Sequence, residues 1–335
     1  MAEGKFITEV VLDRGGGTST SSHRPTPAGN GRRPHSLRCK TQRPDVEATP
    51  DYLRSLSLND SDIELVKHLG EVGYATTEQV SRMYYALHKA PLKSAQKRLS
   101  QLWEWHILDR SPITGIEKYG LRHQLVYSPG KAGNLILSES DAEGAKKRKR
   151  SGTALTLHNL LLGELLVGLS DVGSKKGWEY QFYGERSSAV QFEYNERRIR
   201  MRPDGLLYLN NEVEDIEIPV FVELDTSMRD LDHFRGKVIQ YNSYFASNKW
   251  KARFELFPYV AVVVWGKSAQ GDAKNRQRLA DVRIQRIIAK VEGEKWTQGY
   301  NWLFARLDQA KQGSFHMLTA KSPGKLAKIN LFSVG

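Results

Sequence analysis

The chain has 335 residues, room for two compact domains and a tail, and its 39% hydrophobic and 26% charged composition excludes wholesale disorder. A net charge of +12 points to a polyanionic partner, because neutralised phosphates release counterions and strengthen binding. The one cysteine, Cys39, excludes an internal disulfide and a multi-cysteine zinc site. The most apolar stretch, Leu155 to Leu169, is interrupted by His158, Asn159 and Glu164 and falls short of the roughly 20 residues of a membrane span. With no apolar signal core at the N-terminus, an intracellular, cytoplasmic protein without a membrane partner is expected.

Residues 1–55 are rich in Gly, Ser, Thr, Pro and Arg and read as a disordered basic tail, unable to bury enough apolar surface to offset its ordering entropy. Residues 56–137 read helix, helix, helix, hairpin, helix. Asp62 to Leu69 has helical apolar spacing. Thr76 with Gln79 three residues on is a capping box opening a second helix towards Leu87. A third helix is predicted from about Leu92 to Trp105, with Leu92, Ala95, Leu99 and Leu102 inward. Two strands, Ile107–Pro112 and Leu121–Tyr127, flank a tip at Thr114–Gly120. Residues 138–151, with five consecutive basic residues from Lys146 to Arg150, read as a linker.

Residues 152–335 form the second predicted domain. An apolar helix at 153–169 leads to a strand around Trp178–Arg186 and a hairpin of Arg198–Leu209 with Glu217–Asp225. A helix at Arg229–Ala246 precedes the Val-rich run Phe257–Trp265, which suits a central strand covered on both faces. Helices near 279–291 and 297–311 close an α/β domain with a mixed sheet.

The first module resembles a winged helix-turn-helix: Leu99, Leu102 and Ile107-Leu108-Asp109-Arg110, then Val126-Tyr127-Ser128-Pro129-Gly130, are similar to its third helix, wing and closing turn. A helix that enters a DNA groove needs an apolar face inward and a polar, basic face outward. Lys93, Lys97 and Gln101 recur at four-residue spacing with Arg98 beside them. The lysines suit phosphate, and Arg98 and Gln101 suit base edges, with Lys118 and Arg122 in the wing. A solvated face on a protein-binding winged helix is the alternative.

In the second domain, Arg202-Pro203-Asp204-Gly205 and, a hairpin interval later, Phe221-Val222-Glu223-Leu224-Asp225 resemble the PD-(D/E)XK nuclease superfamily. Phosphodiester hydrolysis calls for Mg²⁺ or Mn²⁺ held by carboxylates, and acids on adjacent strands of a hairpin can converge on one ion. Where that superfamily carries lysine, two residues after the second acid, this chain has Asp225. Lys237 in the following helix is the candidate replacement, and Lys237-x-x-x-Tyr241 resembles the helix motif of the RecB-like branch. That branch places a metal-ligating His in its opening helix, and Gly152 to His158 looks similar. Other uses stand beside these: a turn for Asp204, a helix cap for Asp225, a core position for His158 and Tyr241, a snorkelling lysine for Lys237.

Taken in order, these motifs resemble the bacterial replication-relaxation family of plasmid and mobile-element proteins, over roughly residues 60–265. The resemblance implies a winged helix-turn-helix followed by a restriction-endonuclease-like domain that acts on double-stranded plasmid or mobile-element DNA, alone or with other replication proteins. Three functions are open at this point. One is a Mg²⁺-dependent nuclease or nickase in which Asp204 and Glu223, aided by His158, hold the ion. Another is a non-catalytic replication or regulatory factor on a nuclease scaffold, and the third a transcriptional regulator whose second domain mediates assembly.

Overall fold

The computed structural model describes residues 43, 45–113, 124–139, 153–226, 230–266, 272–294, 300–318 and 326–333. Residues 1–42 of the predicted tail, the Lys146–Arg150 run and the wing residues Lys118 and Arg122 lie outside the described residues. The end of that 1–55 stretch is not disordered as expected, since Thr49 caps a helix over Pro50–Ser55 and Tyr52 and Leu53 pack on the core.

The helical module begins with α1 (Pro50–Ser55) and α2 (Asp60–Val72), followed by β1 (Ala75–Thr76), α3 (Thr77–Tyr84) and α4 (Pro91–Glu104). Then come β2 (Leu108–Pro112), β3 (Leu125–Pro129) and α5 (Lys131–Glu139), and the three strands pair antiparallel in the order β1-β3-β2. Local chemistry sets the helix starts. Thr76 and Gln79 form the expected capping box on α3, and Asn59 with Asp62 forms another on α2. Leu65, Leu69, Ala95, Leu99 and Leu102 interlock in one core. Two details differ from the sequence reading: α3 stops at Tyr84, leaving Leu87 fully exposed, and Leu92, expected inward, is half exposed. Leu92 lies in the first turn of α4, before that helix meets its neighbours.

Arg98 is the bolt of this module. Its guanidinium pairs with the buried Asp62 carboxylate, donates to Ser57 O at 2.9 Å, and donates to Gln101 Oε1 at 2.6 Å. Removing one partner of a buried pair leaves an uncompensated charge, so Arg98→Ala is expected to destabilise by about 3 kcal/mol. Urea unfolding measures it, and adding Asp62→Asn is expected to restore part of the loss.

The α/β part starts with α6 (Thr153–Gly173). By length and composition it alone among the described helices could cross a membrane, but Leu157, Leu161, Leu165 and Leu169 pack it against the sheet. Next are β4 (Glu179–Gly184), β5 (Val190–Tyr194), β6 (Arg197–Met201), β7 (Gly205–Asn211), β8 (Ile216–Asp225), α7 (Leu231–Ala246) and β9 (Tyr259–Val264). Then α8 (Ala273–Gly293), β10 (Trp302–Arg306), α9 (Leu307–Ala310), β11 (Ser314–Leu318) and β12 (Leu326–Asn330) complete the described elements. Seven strands form a mixed sheet in the order β12-β11-β10-β9-β8-β7-β4, parallel only across β8, β9 and β10. As expected, β9 is central and covered on both sides: Ala261 and Val263 face α6, while Val260, Val262 and Val264 face α7 and α8.

Two expectations are corrected. The run 198–209 is two strands, because Pro203 interrupts it: β6 pairs with β5 in a separate ribbon, and β7 joins the main sheet. Residues 302–306, read as helix, are the buried strand β10, lying parallel to β9. β11 and β12 extend that edge.

The helical module packs directly on the α/β part. Gln79 Nε2 donates to Leu160 O at 2.8 Å in a buried bond, and Arg82 reaches Glu164 at 3.5 Å and pairs with Asp171. Glu164 also pairs with Lys311 at 2.9 Å, so its carboxylate faces this seam.

Candidate active site

The β7–β8 hairpin fixes the two acids. At its turn Asn211 Oδ1 accepts from the Val213 and Glu214 amides at 3.1 and 3.2 Å, which sets the register. The ladder runs from Asn211 opposite Ile216 to Gly205 opposite Val222, so one residue further places Asp204 beside Glu223. Strand alternation sends Val220, Val222 and Leu224 to the α6 side, and Phe221 and Glu223 to the α7 side. Gly205 permits the close crossing beside Asp204: an added Cβ would meet the Phe182 ring at 2.3 Å.

Helix α7 supplies the rest. Asp230 caps it, accepting from the Asp232 amide at 3.1 Å; Asp225, one of whose readings was that cap, instead pairs with Arg283 of α8 at 3.0 Å. Lys237 and Tyr241, one turn apart, both reach Glu223: the ammonium contacts Oε2, and the phenol donates to Oε1 at 2.8 Å. Lys237 Nζ also lies 3.8 Å from Asp204 Oδ1. Asp204 Oδ2 accepts from the Leu224 amide at 2.7 Å and faces His158 Nε2 at 3.1 Å. Asp204, Glu223 and Lys237 therefore share one point, with His158 and Tyr241 behind them.

Electrostatics separates the two acids. Burial works to raise Asp204, but Lys237, His158 and the Leu224 amide outweigh it and hold the carboxyl well below the usual range. For Glu223, 3% exposed, burial wins over Lys237 and Tyr241, with help from Asp204's charge, and pushes it up to about 7. Burial favours neutral His158, yet Asp204's charge and hydrogen bond hold its pKa above the ordinary value. A firmly ionised acid thus stands beside one that titrates near neutrality.

Asp204, Glu223, Lys237 and His158 line a cavity of about 770 Å³ together with Arg186, Arg200, Arg202 and Asp225. The sequence reading missed the arginine wall and Arg283. The one signal for the wall was Arg198-x-Arg200-x-Arg202 running into Asp204, a same-face row on a strand. The reading also missed Glu71 of α2, whose carboxylate accepts from the Gly184 amide at 2.6 Å and Ser187 Oγ at 2.9 Å. Gly184 must be glycine, since a Cβ would come within 2.3 Å of Glu71 O. Glu71 thereby ties the helical module to the turn that carries Arg186. In Glu71→Ala, amide exchange at Gly184 is expected to speed up at least tenfold, with Glu71→Gln intermediate.

Of the expected DNA-facing residues, Lys93 and Lys97 are exposed on α4, while Arg98 and Gln101 meet each other as described above. As for a metal, no group of three or more His, Cys, Asp or Glu side chains suited to an ion gathers among the described residues. The donor set, two carboxylates from neighbouring strands, fits in kind an open, water-rich Mg²⁺ site rather than a closed cage.

Residues 66–260, more than half the chain, match the replication-relaxation family. The chain belongs to that family. The matched span runs from α2 to β9 and contains Asp204, Glu223, Lys237 and His158. Comparison of this replication-relaxation protein with curated proteins and with solved structures gives no significant match.

Proposed function

We propose that this protein processes plasmid or mobile-element DNA by cleaving a phosphodiester at the Asp204–Glu223–Lys237 site, with the helical module docking on DNA as a winged helix-turn-helix. The observation that carries the reading is the meeting of two carboxylates and one ammonium in a cavity walled by arginines. The α6, β7–β8, α7, β9 order supports a PD-(D/E)XK type of domain, and the family's link to replication supports DNA as substrate.

Asp204 and Glu223 would hold Mg²⁺ or Mn²⁺. Such an ion, when bound, polarises the scissile phosphate and makes water more acidic. The Leu224 amide and His158 fix one oxygen of Asp204, so that the other is aimed at the shared point. Tyr241 does the same for Glu223. His158 thus acts through Asp204, as an orienting partner does. Lys237, on a helix instead of the strand, brings its ammonium where negative charge develops on the phosphate. On α4, Lys93 and Lys97 contact phosphates, and Arg98 with Gln101 keeps the helix seated.

A second reading, a DNA-binding factor on a nuclease scaffold, is favoured by one feature: Lys237 already contacts Glu223, and each of the four carboxylate oxygens faces a protein donor. Incubation of supercoiled plasmid with the full chain separates them. Open circles or linear DNA appearing with Mg²⁺ or Mn²⁺ but not with EDTA, and about a hundredfold more slowly for Lys237→Met, support cleavage. DNA binding without metal-dependent product leaves the scaffold reading.

A further inference from the structure

The β5–β6 ribbon stands apart from the main sheet and has two unlike faces. Its two-residue turn, Asn195 (φ 50°) and Glu196 (φ 60°), has the positive φ pair of a tight hairpin. Phe192 and Met201 bury one face against α7, with the Phe192 ring 5.1 Å from that of Tyr244. The other face carries Arg198 and Arg200, opposite Glu193 and Gln191. Arg202 continues the series. All three arginines are exposed, and Arg200 and Arg202 line the same cavity as Asp204.

We propose that this face is a nucleic-acid contact, a row of arginines that leads one sugar–phosphate strand into the cavity. The proposal rests on reading the cavity as a phosphodiester site and names how its substrate approaches. Residues two apart on a strand lie roughly 6.7 Å apart, a repeat suited to successive phosphates of one extended strand. A single bound anion would call for converging, buried donors, whereas these are exposed and in line. None of the exposed large hydrophobic residues belongs to the ribbon, which disfavours a membrane surface.

The bland use of these arginines is internal ion pairing. Arg202 approaches Glu185 at 4.0 Å, both about half exposed, which holds little energy. Arg198 and Arg200 enter no ion pair among the described residues, although Glu193 lies across from Arg198. Guanidinium forks offer paired donors matched to phosphate oxygens. The row ends where Asp204 begins the site, so a strand lying along it has a phosphate delivered to the two carboxylates.

The test is equilibrium binding of a labelled single strand and a labelled duplex to the full chain in EDTA, across a salt series. The triple variant Arg198→Gln/Arg200→Gln/Arg202→Gln is expected to bind at least tenfold more weakly at about 0.1 M salt. Its log–log salt dependence should be shallower by about two, at 0.7–0.9 per lost phosphate contact. Arg200→Gln alone should lower the slope by somewhat under one and serves if the triple variant does not fold. Wild-type affinity and slope in these variants, no binding by the wild type, or equal displacement by polyglutamate would overturn the proposal. Because EDTA prevents cleavage, the outcomes separate: an altered slope without any plasmid cleavage keeps the ribbon and discards the nuclease reading. Cleavage with an unaltered slope does the reverse.

Discussion

Asp204→Ala is expected to slow metal-dependent opening of supercoiled plasmid by about a thousandfold or more, equivalent to roughly 4 kcal/mol of transition-state stabilisation. The size follows from the position of this side chain. It is the acid held ionised by Lys237, His158 and the Leu224 amide, and its second oxygen points at the shared site. Losing it removes an anionic ligand and also releases His158 from its orientation. Mn²⁺ binding followed by calorimetry is expected to weaken in parallel, whereas DNA affinity in EDTA is expected to stay within about twofold. Loss of both together would mean that the variant is misfolded, which its unfolding transition would reveal.

The second large effect joins function to stability. Glu223→Gln is expected to abolish cleavage and yet to make the metal-free protein more stable above pH 7. In the folded chain Glu223 keeps its proton up to about pH 7, while the unfolded chain releases it near 4.5. Across that window the folded state binds more protons, so stability falls as pH rises through it. An amide does not titrate and escapes the fall. At about 1.4 kcal/mol per pKa unit, the variant should gain at most about 3 kcal/mol at pH 8, and little near pH 4. Its carbonyl oxygen can still accept from Lys237 while its NH₂ group donates to the Tyr241 oxygen. Thermal unfolding at pH 4.5, 6 and 8 reads the difference, and equal midpoints at pH 8 would mean that Glu223 is not under electrostatic strain. A carboxylate kept in a site at a cost in stability is what the proposed role would require.

Much of the helical module, and the hairpin of the α/β part, was legible because the signals are local. The Thr76–Gln79 capping box, the inward Ala95-x-x-x-Leu99-x-x-Leu102 spacing and the hairpin-length gap between Asp204 and Glu223 need no knowledge of distant residues. The runs that misled are those whose fate depends on neighbours. Trp302–Arg306 is apolar at nearly every position, a pattern that a buried helix and a parallel strand share, and only pairing with β9 decides it. Leu92 has the right residue type for a core, but the first turn of α4 does not reach one.

The site divides in the same way. Asp204, Glu223 and Lys237, which the fold brings together, could be named from a resemblance to a motif with its lysine displaced, because the proposed chemistry calls for those residue types. Glu71, Arg186 and Arg283 could not, since each meets the site only through packing: Glu71 holds Gly184 across 113 positions, Arg283 meets Asp225 across 58, and Arg186 lines the cavity from the turn after β4. The arginine row is an intermediate case: its alternation and its extended backbone were legible, but without β5 as partner nothing marked it as a ribbon apart from the main sheet with one face free.

In the proposed function, two carboxylates from one hairpin act together on a DNA phosphate. That joint action is tested most directly by the double variant Asp204→Asn/Glu223→Gln, which keeps the volume and most hydrogen bonds of the cluster and removes both charges. Beside the wild type, on supercoiled plasmid with Mn²⁺, it is predicted to bind DNA normally, unfold cooperatively and yield no open circles. Wild-type rates of opening from the double variant would mean that the two carboxylates do not act on the phosphate.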